Sequence, residues 1–155
     1  MTKIIDGRLS ELGIELPASS AAVANYVPYV ISGNLIYVSG QITAWNGEIR
    51  YQGKLGDGIS VEDGYRAARL CALNLIAQVK EACGGDLDKV SRVVKLGGFV
   101  AGTPGFTDHP KVINGASDLM VEVFGDAGRH ARFAVGAPSL PLGISVEIDG
   151  LFEIS

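Results

Sequence analysis

Apolar residues along this chain recur at two different spacings, and the changes between them predict its elements. Near the start, Leu9, Leu12 and Leu16 stand at helical spacing within the segment from Asp6 to Leu16. Pro17 and the small residues from Ala18 to Ala24 are expected to end it. Two strand-like runs follow, Tyr26 to Ile31 and Leu35 to Val38, and Ser32-Gly33-Asn34 between them makes the pair read as a hairpin. A third short strand is expected from Glu48 to Gln52, after the Asn46-Gly47 turn. Ser60 opens the clearest helix. Ser60 and Asp63 have the spacing of a capping box, with Asp where Glu is usual. Tyr65, Ala68, Ala72, Leu75, Ile76, Val79 and Cys83 form one stripe, and Gly84-Gly85 supplies the stop. The run from Val90 to Ala101 reads as a strand broken near Gly97-Gly98, and Thr103 to Pro110 as a loop. A second helix is expected from about Lys111 to Phe124, with Val112, Ala116, Leu119, Met120 and Val123 inward. Ala131 to Val135 and Ile144 to Asp149 read as the closing strands.

This order defines an α+β layout in which two long helices can cover only one face of the sheet. Yet the Val90 to Ala101 strand is apolar at both parities, through Val93, Val94, Leu96 and Phe99. Such a strand wants cover on both faces. A second copy of the chain would supply it, so a homo-oligomer is expected.

Composition narrows the field without pointing to a chemistry. A chain of 155 residues with 47% hydrophobic content fits one domain, residues 1–155. A net charge of −4 with no basic run argues against a nucleic-acid partner. No apolar stretch approaches the roughly 20 residues of a membrane span, so no membrane partner is expected. Met1 to Ser20 carries acidic residues and no apolar signal-peptide core, which points to the cytoplasm. Cys71 and Cys83 stand twelve residues apart on one predicted helix. That is about 18 Å, beyond disulfide reach, and they read as small buried hydrophobes. Two histidines and no Cys/His cluster give no structural zinc pattern, and no phosphate-binding or nucleophile-elbow motif occurs.

The chemistry concentrates between His130 and Asp149. Arg132 interrupts the apolar run from Ala131 to Val135, and a guanidinium in such a strand is costly unless it meets an anion. The anion is either an internal carboxylate or one that a ligand brings, the plain structural alternative being Glu147 or Asp149 across an interface. Glu147 itself stands among alternating branched aliphatics, where the plain alternative is a solvent-facing position. His130, two residues before Arg132, is expected on the same strand face. His109 beside Pro110 reads as a helix-start residue and Trp45 as a loop or rim residue.

At this point the ordered set of residues resembles the RidA/YjgF family. Its carriers are Gly33-Asn34, then Val38-Ser39-Gly40-Gln41, Asn114, Ala131-Arg132 and the closing Val146-Glu147-Ile148. The resemblance runs from about Tyr26 to the C-terminus and leaves residues 1–24 as an N-terminal extension. It implies a chorismate-mutase-like fold, with a mixed sheet, two long helices on one face, and a homotrimer whose sheets form an inner barrel. It also implies ligand pockets between subunits and cofactor-independent hydrolysis of reactive 2-enamine or 2-imine acids to 2-keto acids and ammonia. Under it Arg132 matches the residue that grips the substrate carboxylate, and Glu147 the residue that orients or activates water. Tyr26 and Asn114 match pocket residues, and Gly40 and Ala134 match positions whose backbone touches the ligand. No metal or cofactor is implied. Two departures stand out: Ala134 replaces a cysteine common in the family, and Phe133 replaces a small residue. The alternative functions are a non-catalytic trimer that binds a small carboxylate such as a keto acid, and an endoribonuclease, a label some family members carry.

Overall fold

The computed structural model describes residues 3–21 and 24–155. Met1, Thr2 and two members of the small-residue stretch, Ala22 and Val23, lie outside the described residues. Along the chain come α1 (Ile4–Glu11), β1 (Tyr29–Ser32) and β2 (Leu35–Gln41). Four two-residue strands follow: β3 (Ala44–Trp45), β4 (Glu48–Ile49), β5 (Lys54–Leu55) and β6 (Gly58–Ile59). Then come α2 (Val61–Ala82), β7 (Val90–Ala101), α3 (His109–Phe124), β8 (Ala131–Ala137) and β9 (Val146–Ile154). The main sheet has the order β1-β2-β9-β7-β8. Only the β7–β8 pair is parallel, so the sheet is mixed. Both long helices lie on one of its faces, α2 against β2 and β9, α3 against β7 and β8.

The two clearest signals behave as the sequence predicts. The hairpin closes through Gly33-Asn34 with Ser32 opposite Leu35, and Gly33 takes the left-handed φ of +62° that the turn needs. Ser60 caps α2 by accepting from the Asp63 backbone N–H at 3.1 Å. Gly84 and Gly85 end it with φ of +67° and +93°. Cys71 and Cys83 are both free and buried.

Other boundaries shift for identifiable reasons. α1 starts before Asp6 and stops at Glu11, because Gly13 turns left-handed at φ +66°. Ile5 and Leu9 therefore face the core, while Leu12 is 46% exposed. β1 begins at Tyr29 rather than Tyr26, since Pro28 has no N–H for a ladder. The segment from Glu48 to Gln52 contributes only Glu48–Ile49, which pairs with Ala44–Trp45 in a ribbon outside the main sheet. Tyr51, at φ +55°, turns the chain away. β7 is not broken at Gly97-Gly98 but runs unbroken for 12 residues. The glycines make room instead. A Cβ on Gly98 would press into Ile113 of α3, and one on Gly97 into Phe133 and Asp149 on the opposite face.

The register assigns each side chain to a face. Val93, Leu96, Ile148 and Phe152 are fully buried under the helices. Removing each from water contributes about 1.5–3 kcal/mol. Among the described residues the opposite face has no such cover. Val30, Tyr37, Phe99 and Val135 stand exposed there, beside Phe133, Glu147 and Asp149.

Candidate functional site

Arg132 lies on β8, the edge strand, opposite Leu96 and hence on the helix-covered face. Its guanidinium reaches α3. Nη1 donates to Ser117 Oγ at 3.0 Å, and Nη2 donates to the Pro110 carbonyl at 3.4 Å, a weak bond. Among the described residues no carboxylate lies within 4.0 Å of it, so neither Glu147 nor Asp149 is its partner within the chain. Two of the five guanidinium N–H groups are thus engaged and three are free, and a carboxylate held in the bidentate manner needs two. Asn114 is exposed one helical turn after Pro110 and one before Ser117, on the side of α3 that faces Arg132. Ala134 follows on the same strand face, opposite Gly98 and partly buried against the core. As part of an edge strand its backbone has one side unpaired within the sheet.

His130 shares this face, as expected from its spacing. Its Nε2 lies 2.9 Å from Ser117 Oγ, and its Nδ1 lies 2.6 Å from the Gly128 carbonyl. Ser117 is the residue that sequence reasoning missed. The only signal for it is its position, one turn after Asn114 on the same helix. His109 starts α3 as expected, with its ring edge-on to Phe106 at 5.2 Å.

Glu147 belongs to the other face. It sits on β9 opposite Phe99, half-buried. Burial raises its carboxyl above the ordinary 4.5, and the neighbouring Asp149 charge pushes in the same direction. Between Val38 and Gln41 the β2–β9 register slips, and this bulge brings Gly40 directly over Glu147. A Cβ on Gly40 would land on Glu147 Oε2. Gly40 and Tyr26 also line a common cavity of about 320 Å³, with Asn74, Asn46 and the N-terminal residues Ser20 and Ala21. Tyr26 is exposed in the single chain.

Within one chain the six residues therefore form two groups. Arg132, Asn114 and Ala134 gather at the β8–α3 edge, while Glu147, Gly40 and Tyr26 gather around β2 and β9. The two key charges point to opposite faces of the sheet. Among the described residues no cluster of His, Cys, Asp and Glu forms a metal-binding group. No helix among them is long and apolar enough to cross a membrane. Burial drives the Cys71 thiol well upward, with Glu147 adding to the effect, which disfavours its reactive thiolate form.

An α+β chain with helices on one sheet face and an anion-ready arginine at the sheet edge is the class these features define. The family described as "YjgF/chorismate mutase-like, putative endoribonuclease" matches residues 6–153. Protein TCP17 of Trypanosoma cruzi is 48% identical over 160 aligned residues, covering 100% of this chain and 99% of that protein. The crystal structure of a protein of unknown function from Agrobacterium tumefaciens superposes with a TM-score of 0.91 at 54% identity, covering 97% of this chain and 92% of that one. A crystal structure from Shewanella oneidensis, described as a "putative endoribonuclease", gives a TM-score of 0.93 at 41% identity, covering 97% and 99%. The chain belongs to the RidA/YjgF family, as its Gly40, Arg132 and Glu147 motifs anticipated.

Proposed function

We propose that this protein hydrolyses small 2-imino and 2-enamino acids to 2-keto acids and ammonia, without a cofactor, in clefts between the subunits of a cytoplasmic homotrimer. The observation that carries this reading is the placement of the two charges. Among the described residues Arg132 has three free donors and no internal carboxylate, and Glu147 is half-buried on the opposite sheet face. A site that uses both needs Arg132 of one copy beside Glu147 of the next. The bare apolar face of the sheet supplies the reason for copies to assemble.

The chemistry then follows from the residues. Arg132 holds the substrate carboxylate in a bidentate grip, with Asn114 beside it. The oxygen of a water molecule adds to the imine carbon, and the C=N pair moves onto nitrogen. Glu147 takes the proton the water gives up. That proton passes on to the nitrogen to give a neutral carbinolamine. As this collapses, its hydroxyl proton moves through Glu147 to the nitrogen, a C=O bond forms, the C–N bond breaks and ammonia leaves. A carboxyl held above its ordinary range by burial suits a group that must both accept and return a proton. Tyr26 and the backbone at Gly40 and Ala134 close the pocket around the ligand.

The test generates imines in situ with an amino-acid oxidase and follows ammonia and keto-acid release, with semicarbazide trapping the free imine. Arg132→Ala should lose activity on the order of 10²-fold or more, the worth of two charge-assisted hydrogen bonds. Activity equal to wild type would remove Arg132 from the mechanism. Saturable binding of a keto acid without any acceleration would favour the carboxylate-binding module. RNA cleavage abolished by Arg132→Ala would favour the ribonuclease, against which the net charge of −4 weighs.

A further inference from the structure

Around Ser117 every donor and acceptor is fixed by its neighbour. The Gly128 carbonyl can only accept, and it lies 2.6 Å from His130 Nδ1, so a neutral His130 carries its proton on Nδ1. Nε2 is then a bare lone pair, 2.9 Å from Ser117 Oγ, and receives the serine hydroxyl proton. This turns the lone pairs of Ser117 toward Arg132, whose Nη1–H they accept at 3.0 Å. One chain of donation runs from Arg132 through Ser117 and His130 to the Gly128 carbonyl.

We propose that Ser117 and His130 are a positioning pair for Arg132. Neutral His130 orients the Ser117 hydroxyl, and the hydroxyl sets the guanidinium in the plane where it receives a substrate carboxylate. The proposal rests on Arg132 as the carboxylate anchor of the reading above. Without His130 the hydroxyl is a free rotor, and for part of the time it would present its own proton to a guanidinium that has only protons to give. Without Ser117 the guanidinium keeps only the 3.4 Å bond to Pro110 and can swing about its long side chain.

The surroundings favour the neutral ring. Burial lowers the His130 pKa below 6.5 and the Arg132 charge lowers it further, while the Gly128 bond works the other way. Arg132 is the charged side chain facing the ring from its own strand. From α3 the ring meets the Ser117 hydroxyl, Asp118 being occupied by the Tyr65 hydroxyl at 2.7 Å. Lys95 of β7 lies over Phe133 on the opposite sheet face, and Arg129 lies 3.6 Å from Asp126. When His130 does gain a second proton, Nε2–H must donate to the serine oxygen. Two cations then crowd one oxygen, which accepts from both only with its own proton turned away, and their repulsion loosens the placement of Arg132.

Nitrogen-15 NMR of the oligomer reads the pair directly. At pH 7.5 His130 is expected as the Nδ1–H tautomer, with the Arg132 Nη signals resolved because Ser117 hinders rotation of the guanidinium. Ser117→Ala and His130→Phe should merge those signals, and Ser117→Thr, which keeps the hydroxyl, should leave them resolved. In the wild type they should merge as His130 protonates, a step absent from Ser117→Ala. Affinity for 2-oxobutanoate, the carboxylate probe, should weaken about tenfold in Ser117→Ala and His130→Phe, the worth of one good hydrogen bond, and recover in Ser117→Thr. An Nε2–H tautomer, or resolved Arg132 signals in both disabling variants, overturns the pair. A probe that binds wild type and Arg132→Ala equally sinks the anchor reading instead, and the tautomer and rotation signals still decide for or against the pair.

Discussion

Gly40 and Glu147 compete for one small volume. The β2 bulge brings the Gly40 backbone so close that even a methyl group would strike the carboxylate. Gly40→Ala should therefore displace Glu147 and cut imine hydrolysis by at least tenfold while changing Tm little, because the strain falls on the end of a flexible side chain. Steady-state rates and a melting curve on the same preparation test this, and unchanged turnover would mean that the position of Glu147 does not matter. Glu147 also makes a pH prediction. Its pKa is raised in the fold, so the folded chain holds the proton more tightly than the unfolded chain does. Stability is thus greatest with the proton on, and falls as pH rises from about 4.5 through the raised value. Glu147→Gln, which mimics the neutral form, should raise Tm at pH 7 and lose that advantage near pH 4, even as activity disappears. An advantage that grew on acidification would mean that a cation, Arg132 of the next copy under the proposed function, holds the carboxylate ionised and outweighs the burial. Arg132 and Glu147 were legible in the sequence because each charge interrupts an apolar strand pattern. Ser117 was not, since one serine on a helix is ordinary, and its role depends on β8 landing beside α3. Nor could alternation along each strand say that the two charges face opposite ways, because that depends on how β8, β7 and β9 register across the sheet.

At the scale of elements, long periodic segments and glycine stops were legible, and the short strands were not. α2 announces itself through its stripe and cap, whereas β3 to β6 are two-residue pairs whose hydrogen bonds come from distant loops. Gly97-Gly98 shows how a correct observation can carry the wrong inference. Two glycines in a strand suggest a break, but here they are the points where α3 and Phe133 press closest to β7. Gly115 plays the same part between helices. A Cβ there would collide with the Tyr65 backbone carbonyl of α2, and backbone cannot step aside as a side chain can. Gly115→Ala should destabilise the fold by about 2 kcal/mol or more despite the better helix propensity of alanine. In a chain of this size that is a fall in Tm of roughly 4–8 °C. Denaturant melts of Gly115→Ala and of Gly105→Ala, whose added methyl meets nothing, make the comparison. Equal midpoints would show that α2 and α3 pack less closely than the structure has them.

Under the proposed function, the assembly is the scale at which the two halves of the site would meet. Arg132 sits at the outer edge of the sheet on the helix side, and Glu147 lies on the bare face beside Phe99 and Val135. A ring in which each subunit offers its β8 edge to the β2–β9 surface of the next would bring Arg132, Asn114 and Ala134 to Tyr26, Gly40 and Glu147. That contact is head-to-tail, and it closes at three copies only if the rotation is right. Arg132→Ala and Glu147→Gln should each be inactive as pure oligomers. Unfolded together in equal amounts and refolded, they should regain activity. A site is whole only where a Glu147→Gln chain supplies Arg132 and an Arg132→Ala chain supplies Glu147, and random assembly makes about one quarter of the sites so. Recovery near a quarter of the wild-type rate, in a species with three times the 16.2 kDa of the chain, would demonstrate both the shared site and the ring. No recovery from well-mixed oligomers would require both groups to act within one subunit, which their opposite faces forbid, so one of the two would have to leave the mechanism.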